Sequence, residues 1–288
     1  MKRFLAIPCL FLLTAVLVAP PTAGAQGVAI KLFGGYNYMN GGDVKDGQKG
    51  ILDYYTELYP LYGYTAHQEY KPLRDAWDVG GDLIFYFTPN IGIGLGAGYI
   101  QSFTGASTLN LTRPLTPTTD FTSTPKVSAI PIRASLYIAI PLGTGASLTL
   151  HGGAAYYLAK MQYVLRAATG SYWEQLEFKA DGKGIGFHGG IGLEVDLSSN
   201  FSFIVEGAGR LANIGGFSGT NVSTASVGPS DSESGTLYFF KYNYGAFGTF
   251  SWINIRDTVP SGPAYSDIRE AKVDFSGFSA RTGLIFRF

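Results

Sequence analysis

A strict two-residue alternation between residues 184 and 197 constrains the fold more than any other feature of the sequence. One face of this segment is apolar throughout, and the other consists of four glycines with the ionisable residues His188, Glu194 and Asp196. A period of two is typical of a β-strand. A glycine-rich face with isolated charges suits a crowded interior better than an open surface. The alternation therefore predicts a barrel whose apolar face contacts lipid and whose polar face lines a narrow lumen.

Seven further segments show the same alternation. Three tight connections and four long ones join the eight segments, as expected for an up-and-down antiparallel sheet that closes on itself. We predict one all-β domain, residues 26–288, that forms a transmembrane antiparallel β-barrel of eight strands. Its long extracellular loops would span residues 40–75, 104–126, 162–183 and 218–273. The segments lie at 28–39, 76–88, 91–103, 127–142, 146–161, 184–197, 201–217 and 274–288.

Residues 237–244 and 246–255 are also strand-like, so a barrel of ten strands is the alternative. It requires a periplasmic turn at Tyr244 and Gly245. Against it, residues 237–240 lack clean alternation, and a hairpin that extends above the membrane explains the same sequence.

The stretch from Gly92 to Ala97 fits the glycine spacing of a dinucleotide-binding turn. Such a turn must open a helix, whereas the alternation here continues and no helical pattern follows at 101–107. We therefore interpret these glycines as a strand face that leaves room for larger side chains of neighbouring strands. No cofactor is expected. Lysines plus arginines equal aspartates plus glutamates at 21 each, which gives no indication of a nucleic-acid partner.

Residues 1–25 have the form of a secretory signal peptide. Lys2 and Arg3 precede an apolar run at 4–19, and Ala23-Gly24-Ala25 supplies a small-x-small cleavage pattern. The only cysteine of the chain, Cys9, lies within this segment. Neither a disulfide nor a cysteine-ligated metal is therefore expected in the mature protein.

Ten charged residues fall on the predicted inner face, five of them cations and five anions. An unpaired charge away from water is costly, whereas a hydrogen-bonded pair is tolerated. Eight strands enclose a space that side chains can fill. We therefore expect these residues to form a structural network that plugs the lumen. They are Lys31, Asp78, Asp82, Arg133, Glu194, Asp196, Glu206, Arg210, Arg281 and Arg287.

The last strand resembles the insertion signal of bacterial outer-membrane barrels, which is read by the barrel-assembly machinery. The residues that carry this signal are Arg281, Gly283, Phe286 and Phe288. The mature chain as a whole resembles the small eight-stranded barrels typified by outer-membrane protein A, without their peptidoglycan-binding domain. The resemblance implies a location in the outer membrane of a Gram-negative-type bacterium, among outer-membrane lipid and lipopolysaccharide.

Function is expected to reside in the loops, because binding chemistry is normally carried on loops above a rigid scaffold. The first loop is rich in tyrosine between residues 51 and 64, which favours contact with an extracellular ligand. We predict a structural or surface-interaction role, with a small-solute or ion channel as the alternative. A lipid-modifying enzyme is a third hypothesis. We expect no enzymatic activity, because His151 and His188 have no nucleophile beside them on their own strands and His67 lies in a loop.

Overall fold

The computed structural model describes residues 27–288, so the predicted signal peptide, residues 1–25, lies outside the described residues. The described chain consists mainly of antiparallel strands, with one α-helix, α1 (Gly42–Leu58), and two 3-10 turns, Tyr59–Tyr62 and Gly245–Phe247. The strands are β1 Gly27–Met39, β2 Thr65–Glu69, β3 Asp75–Tyr86, β4 Ile91–Ser102, β5 Ser107–Thr112, β6 Thr119–Pro141, β7 Ala146–Thr169, β8 Tyr172–Ser198, β9 Phe201–Leu211, β10 Asn213–Ile214, β11 Ser218–Ala225, β12 Asp231–Asn243, β13 Thr249–Arg256, β14 Tyr265–Glu270, β15 Val273–Asp274 and β16 Gly277–Arg287. Within residues 27–288, no helix is both long enough and apolar enough to cross a membrane.

Eight strands pair in a closed antiparallel ring in the order β1, β3, β4, β6, β7, β8, β9 and β16. The ring closes because β16 pairs with β1, with Gly283 opposite Phe33. The predicted all-β antiparallel barrel is confirmed. The strand-like residues behind the ten-strand alternative belong to β12 and β13, which pair with each other, while β12 also pairs with β11 and β14.

The two ends of the barrel differ in their connections. The turns after β3, β6 and β8 are short and lie at the end where Gly27 pairs with Tyr86. At the other end the structure corrects two predicted loop boundaries. Residues 162–183 are not an irregular loop, because β7 and β8 continue as a paired hairpin that turns at Gly170, where φ is 59°. Residues 119–126, predicted as loop, similarly belong to β6. Strand pairing satisfies the backbone hydrogen bonds of these extensions.

The two faces of the barrel wall match the alternation. On β8, Ile191 and Leu193 are 52% and 48% exposed, whereas Glu194 beside them is fully buried. Apolar side chains therefore form the outer surface, as a wall in contact with lipid requires. Outward aromatic residues cluster at both heights of this surface. Phe201 contacts Phe286 near the tight turns, and Tyr38–Phe278 and Trp77–Tyr99 form pairs near the elaborated end, with ring centroids 5.1–5.3 Å apart.

Helix α1 covers the elaborated end and was not predicted from the sequence. Val44 and Ile51 are buried in an apolar cluster with residues of β12, β13 and the ring strands. Gly47 and Gly50 permit close packing on β13, because a Cβ atom on Gly50 would lie 2.1 Å from the Ser251 carbonyl oxygen. The helix thus caps a second core above the lumen.

Candidate functional site: the charged lumen and the extracellular pocket

The centre of the lumen holds a network of charges contributed by four strands. Lys31 on β1 forms an ion pair with Glu206 on β9. Arg281 on β16 lies 3.3 Å from Glu206 and 2.7 Å from Asp78 on β3, while Arg210 lies 3.8 Å from Asp78. Lys31, Asp78 and Glu206 are each at most 3% exposed. Every charge in this group therefore has an opposite charge beside it in a water-poor space, which the cost of burying an isolated ion requires.

A second group surrounds Asp82. Arg133 donates hydrogen bonds of 2.9 and 3.2 Å to Asp82 Oδ1, and the Tyr137 hydroxyl donates one of 2.9 Å to Oδ2. The two groups meet at the ring of Phe33, whose centroid lies 4.7 Å from the Arg281 guanidinium carbon and 5.0 Å from that of Arg133. Cations above an aromatic face gain a favourable interaction when desolvated. The sequence analysis missed Phe33, although it shares the inward face of its strand with Lys31.

The rim at the tight-turn end carries the remaining predicted residues. Arg287 pairs with Glu194 and lies 3.4 Å from Asp196. The structure thus brings each of the ten predicted charged residues into an ion pair with another of the ten. They form two separate sets, one at the centre and one at the rim, rather than a single network. An apolar layer of Ala29, Ile84, Ile204 and Ile285 lies between the two sets.

Both lumen histidines have polar neighbours on other strands. His151 Nε2 lies 3.2 Å from Glu206 Oε2. His188 Nε2 hydrogen-bonds Ser135 Oγ at 2.8 Å across Gly153, which occupies the position between them on β7. Within the described chain His188 Nδ1 has no hydrogen-bond partner, so the group that orients the base of a catalytic triad is missing from this pair. The sequence could not show the pair, because it joins strands that are not neighbours in the ring.

Little free space remains beside the charges. A cavity bounded by Arg133, His188, Arg210 and Arg281 measures about 20 Å³, which accommodates only one or two water molecules. On the extracellular side, Tyr157 stacks on Phe275 with ring centroids 6.3 Å apart, and both belong to the apolar core beneath α1.

The glycines of β4 face these charges. A Cβ atom on Gly96 would lie 1.8 Å from Asp82 Oδ1, and one on Gly98 would lie 2.8 Å from Arg133 Nη1. Any larger residue would displace the ion pair between those two side chains. The spacing that imitates a nucleotide-binding turn thus makes room for the charged lumen, in agreement with the sequence interpretation.

A separate pocket of about 500 Å³ opens at the extracellular end, between α1 and the extended β7–β8 hairpin. Tyr55 stacks on Phe121 at 4.6 Å, and Tyr59 meets Tyr64 edge-on at 5.4 Å. Burial raises the pKa of Tyr55 to about 12, so its hydroxyl stays protonated at neutral pH. Glu174 is the one charged residue among those that line the pocket. The lining residues are Tyr55, Tyr59, Tyr64, Thr119, Phe121, Leu165, Ala167, Thr169, Tyr172, Glu174, Gln175, Leu176 and Ser223.

The fold and the inside-out surface define a membrane β-barrel, and comparison with known families identifies its class. The family model of the outer membrane protein beta-barrel domain matches residues 9–230. The chain therefore belongs to this family and is a protein of the bacterial outer membrane, which confirms the resemblance and the location expected from the sequence. Among solved structures it is similar to the outer membrane protein OprG from Pseudomonas aeruginosa, with 10% identity, 92% of this chain and 98% of that chain covered, and a TM-score of 0.34. A search of curated proteins gives no significant match.

Proposed function

We propose that this protein is a non-conducting outer-membrane scaffold that recognises a ligand at its extracellular end. The observation that carries the proposal is the paired filling of the lumen. Charged side chains with opposite charges beside them, apolar layers above and below them, and a cavity of about 20 Å³ leave no room for a hydrated ion to pass. Mobile loops do not have to close the barrel, because the wall's own side chains occupy it.

Recognition is proposed for the tyrosine-lined pocket. Tyrosine and phenylalanine rings supply contact area at little cost in conformational entropy. Hydroxyl groups of Thr119, Thr169 and Ser223 at the pocket wall can exchange hydrogen bonds with a polar ligand. Glu174 is the single charge, so the pocket favours an uncharged or cationic molecule with an apolar face over an anion.

Planar-bilayer recording tests the closed lumen. The refolded mature chain, verified as folded by heat-modifiable gel migration, is expected to give no single-channel steps, because no continuous water path crosses the charged layer. A small-solute or ion channel is the rival function. Reproducible steps that vanish when Arg133 or Glu206 is replaced by a neutral residue would establish that channel and exclude the plug.

Saturation-transfer NMR tests the pocket with three probes of similar size: phenyltrimethylammonium, benzyl alcohol and benzenesulfonate. We expect transfer to the cation and to the neutral alcohol but little to the anion, with at least a fivefold loss in Tyr59→Ala because that ring forms part of the wall. Tyr62→Ala is the matched control, since Tyr62 lies in the same 3-10 turn but is 61% exposed and outside the pocket. Equal signals in both variants would argue against recognition at this pocket.

We propose no enzymatic function. The support is geometric: Ser135 is buried in the lumen and its histidine partner has no orienting acceptor in the described chain. A nucleophile of this kind needs both an activated base and access for its substrate.

A further inference from the structure

Four lysines lie together on the outer wall of the barrel, directly beyond its apolar band. They project from β6, β7 and β8 on the same face as the lipid-facing residues. Cross-strand register sets Lys160 opposite Asp181 and Lys179 opposite Gln162, and Gln162 is also opposite Lys126. We call this group the lysine cluster, and it consists of Lys126, Lys160, Lys179 and Lys183.

The lysine cluster carries a positive excess on a chain with no net charge. Lys160 lies 3.7 Å from Asp181 in a pair that is about three-quarters exposed, and Lys179 lies 2.8 Å from Glu177. Lys126 and Lys183 form no ion pair with any residue of the described range 27–288. Four cations and two anions leave an excess of two positive charges, and exposed pairs of this kind exchange partners readily.

The position of the lysine cluster relative to the apolar band sets it at the height of lipid head groups. Tyr156, Leu158 and Ile185 are 40%, 44% and 67% exposed and form the upper edge of that band. Lys160 follows Tyr156 by four residues on β7, which is roughly 13 Å along a strand and roughly 10 Å in height at the usual strand tilt. Lysine side chains of this length place their ammonium groups at the boundary between hydrocarbon and water.

A groove of about 520 Å³ runs beside the lysine cluster. Lys126, Lys160 and Lys179 line it together with the hydroxyl groups of Ser128, Ser218 and Thr220. Ammonium and hydroxyl donors that converge on one groove suit phosphate oxygens, which accept charge-assisted hydrogen bonds.

We propose that the lysine cluster binds the phosphate groups of a phosphorylated outer-leaflet lipid whose acyl chains lie against Tyr156, Leu158 and Ile185. A soluble anion would use the donors of the groove but would have no use for the apolar strip beneath them. The site is about the membrane-facing wall and does not depend on the extracellular pocket or on the closure of the lumen.

Native mass spectrometry of the refolded mature chain in detergent tests the site, with bis-phosphorylated lipid A as the probe. The triple variant Lys126→Gln/Lys160→Gln/Lys183→Gln is expected to bind this lipid at least roughly tenfold more weakly, because each lysine near a membrane surface contributes to the attraction of anionic lipid. The matched control is Lys49→Gln/Lys71→Gln/Lys241→Gln, which removes the same charge from side chains that are 47–55% exposed elsewhere. It is expected to bind as the unmodified protein does.

Two further measurements decide the chemistry of the ligand. Dephosphorylated lipid A is expected to bind the unmodified protein and the triple variant equally, and millimolar inorganic phosphate is expected not to displace the phosphorylated lipid. Equal affinity of the triple variant and the control for the phosphorylated lipid would overturn the proposal. Displacement by inorganic phosphate would also overturn it, because the groove would then be a site for a soluble anion.

Discussion

Replacing Glu206 with glutamine is expected to lower the free energy of unfolding by about 3–5 kcal/mol, the usual cost of removing one partner from a buried ion pair. Glu206 contacts Lys31 and Arg281, and its side chain is 1% exposed. Glutamine keeps the size of the side chain but removes its charge, so both cations would lose their opposite charge in a space that admits almost no water. Urea unfolding of the protein in lipid vesicles, followed by tryptophan fluorescence, measures the change.

A surface ion pair provides the control for this variant. Glu233 lies 3.3 Å from Arg256 on the β12–β13 hairpin, and both side chains are about one-third exposed. Glu233→Gln is expected to cost less than about 1 kcal/mol, because water replaces the lost partner. The double variant Lys31→Met/Glu206→Gln is expected to recover part of the loss, since it removes one of the two stranded cations. Equal costs for Glu206→Gln and Glu233→Gln would show that the lumen charges are well solvated and would contradict the plugged interior.

The contrast between these two ion pairs also shows what the sequence could predict. Glu206 and Lys31 could be assigned to the lumen because alternation fixes the face of every residue in a strand. Their pairing follows from register, which places β9 beside β16 and β16 beside β1. The sequence analysis did not derive that register, so it predicted a set of inward charges but not their partners or their division into two sets.

The unpredicted parts share a different physical cause. Above the membrane, the extended β6, β7 and β8 surround an apolar core that α1 completes, as Tyr163 and Phe178 stack with ring centroids 5.6 Å apart. The outward face of these extensions meets water and carries charges such as Lys179 and Glu177. The lipid-facing signal therefore ends at the membrane boundary although the strands continue. A search for lipid-facing alternation alone consequently stops short of the real strand ends.

Helix α1 was missed for a related reason. Its sequence contains Gly42, Gly47 and Gly50, which lower helix propensity. Its glycines are explained by tertiary packing, because Gly47 and Gly50 lie against Ile253 and Ser251 of β13. Local propensity was overridden by a contact with residues about two hundred positions later, and no single-segment pattern carries that information.

The outward face of the barrel gives the second prediction with a large effect. Ile191→Arg, at mid-height on β8, is expected to lower the free energy of unfolding in lipid vesicles by about 2–4 kcal/mol, because it places a charge in the hydrocarbon. On a water-facing surface the same change at a residue that is 52% exposed would cost little. Urea unfolding in vesicles measures the effect.

Leu197→Arg is the matched control on the same strand. Leu197 is 60% exposed, more than Ile191, but it lies at the end of β8 beside the tight turn to β9. Its arginine can reach the interface, so the expected cost falls to about 0–1 kcal/mol. Exposure alone would rank the two variants equally, whereas depth in the membrane separates them. If both arginines were tolerated equally well in vesicles, Ile191 would not lie in hydrocarbon. The inside-out assignment of the wall, on which the charged lumen and the lysine cluster both depend, would then fail.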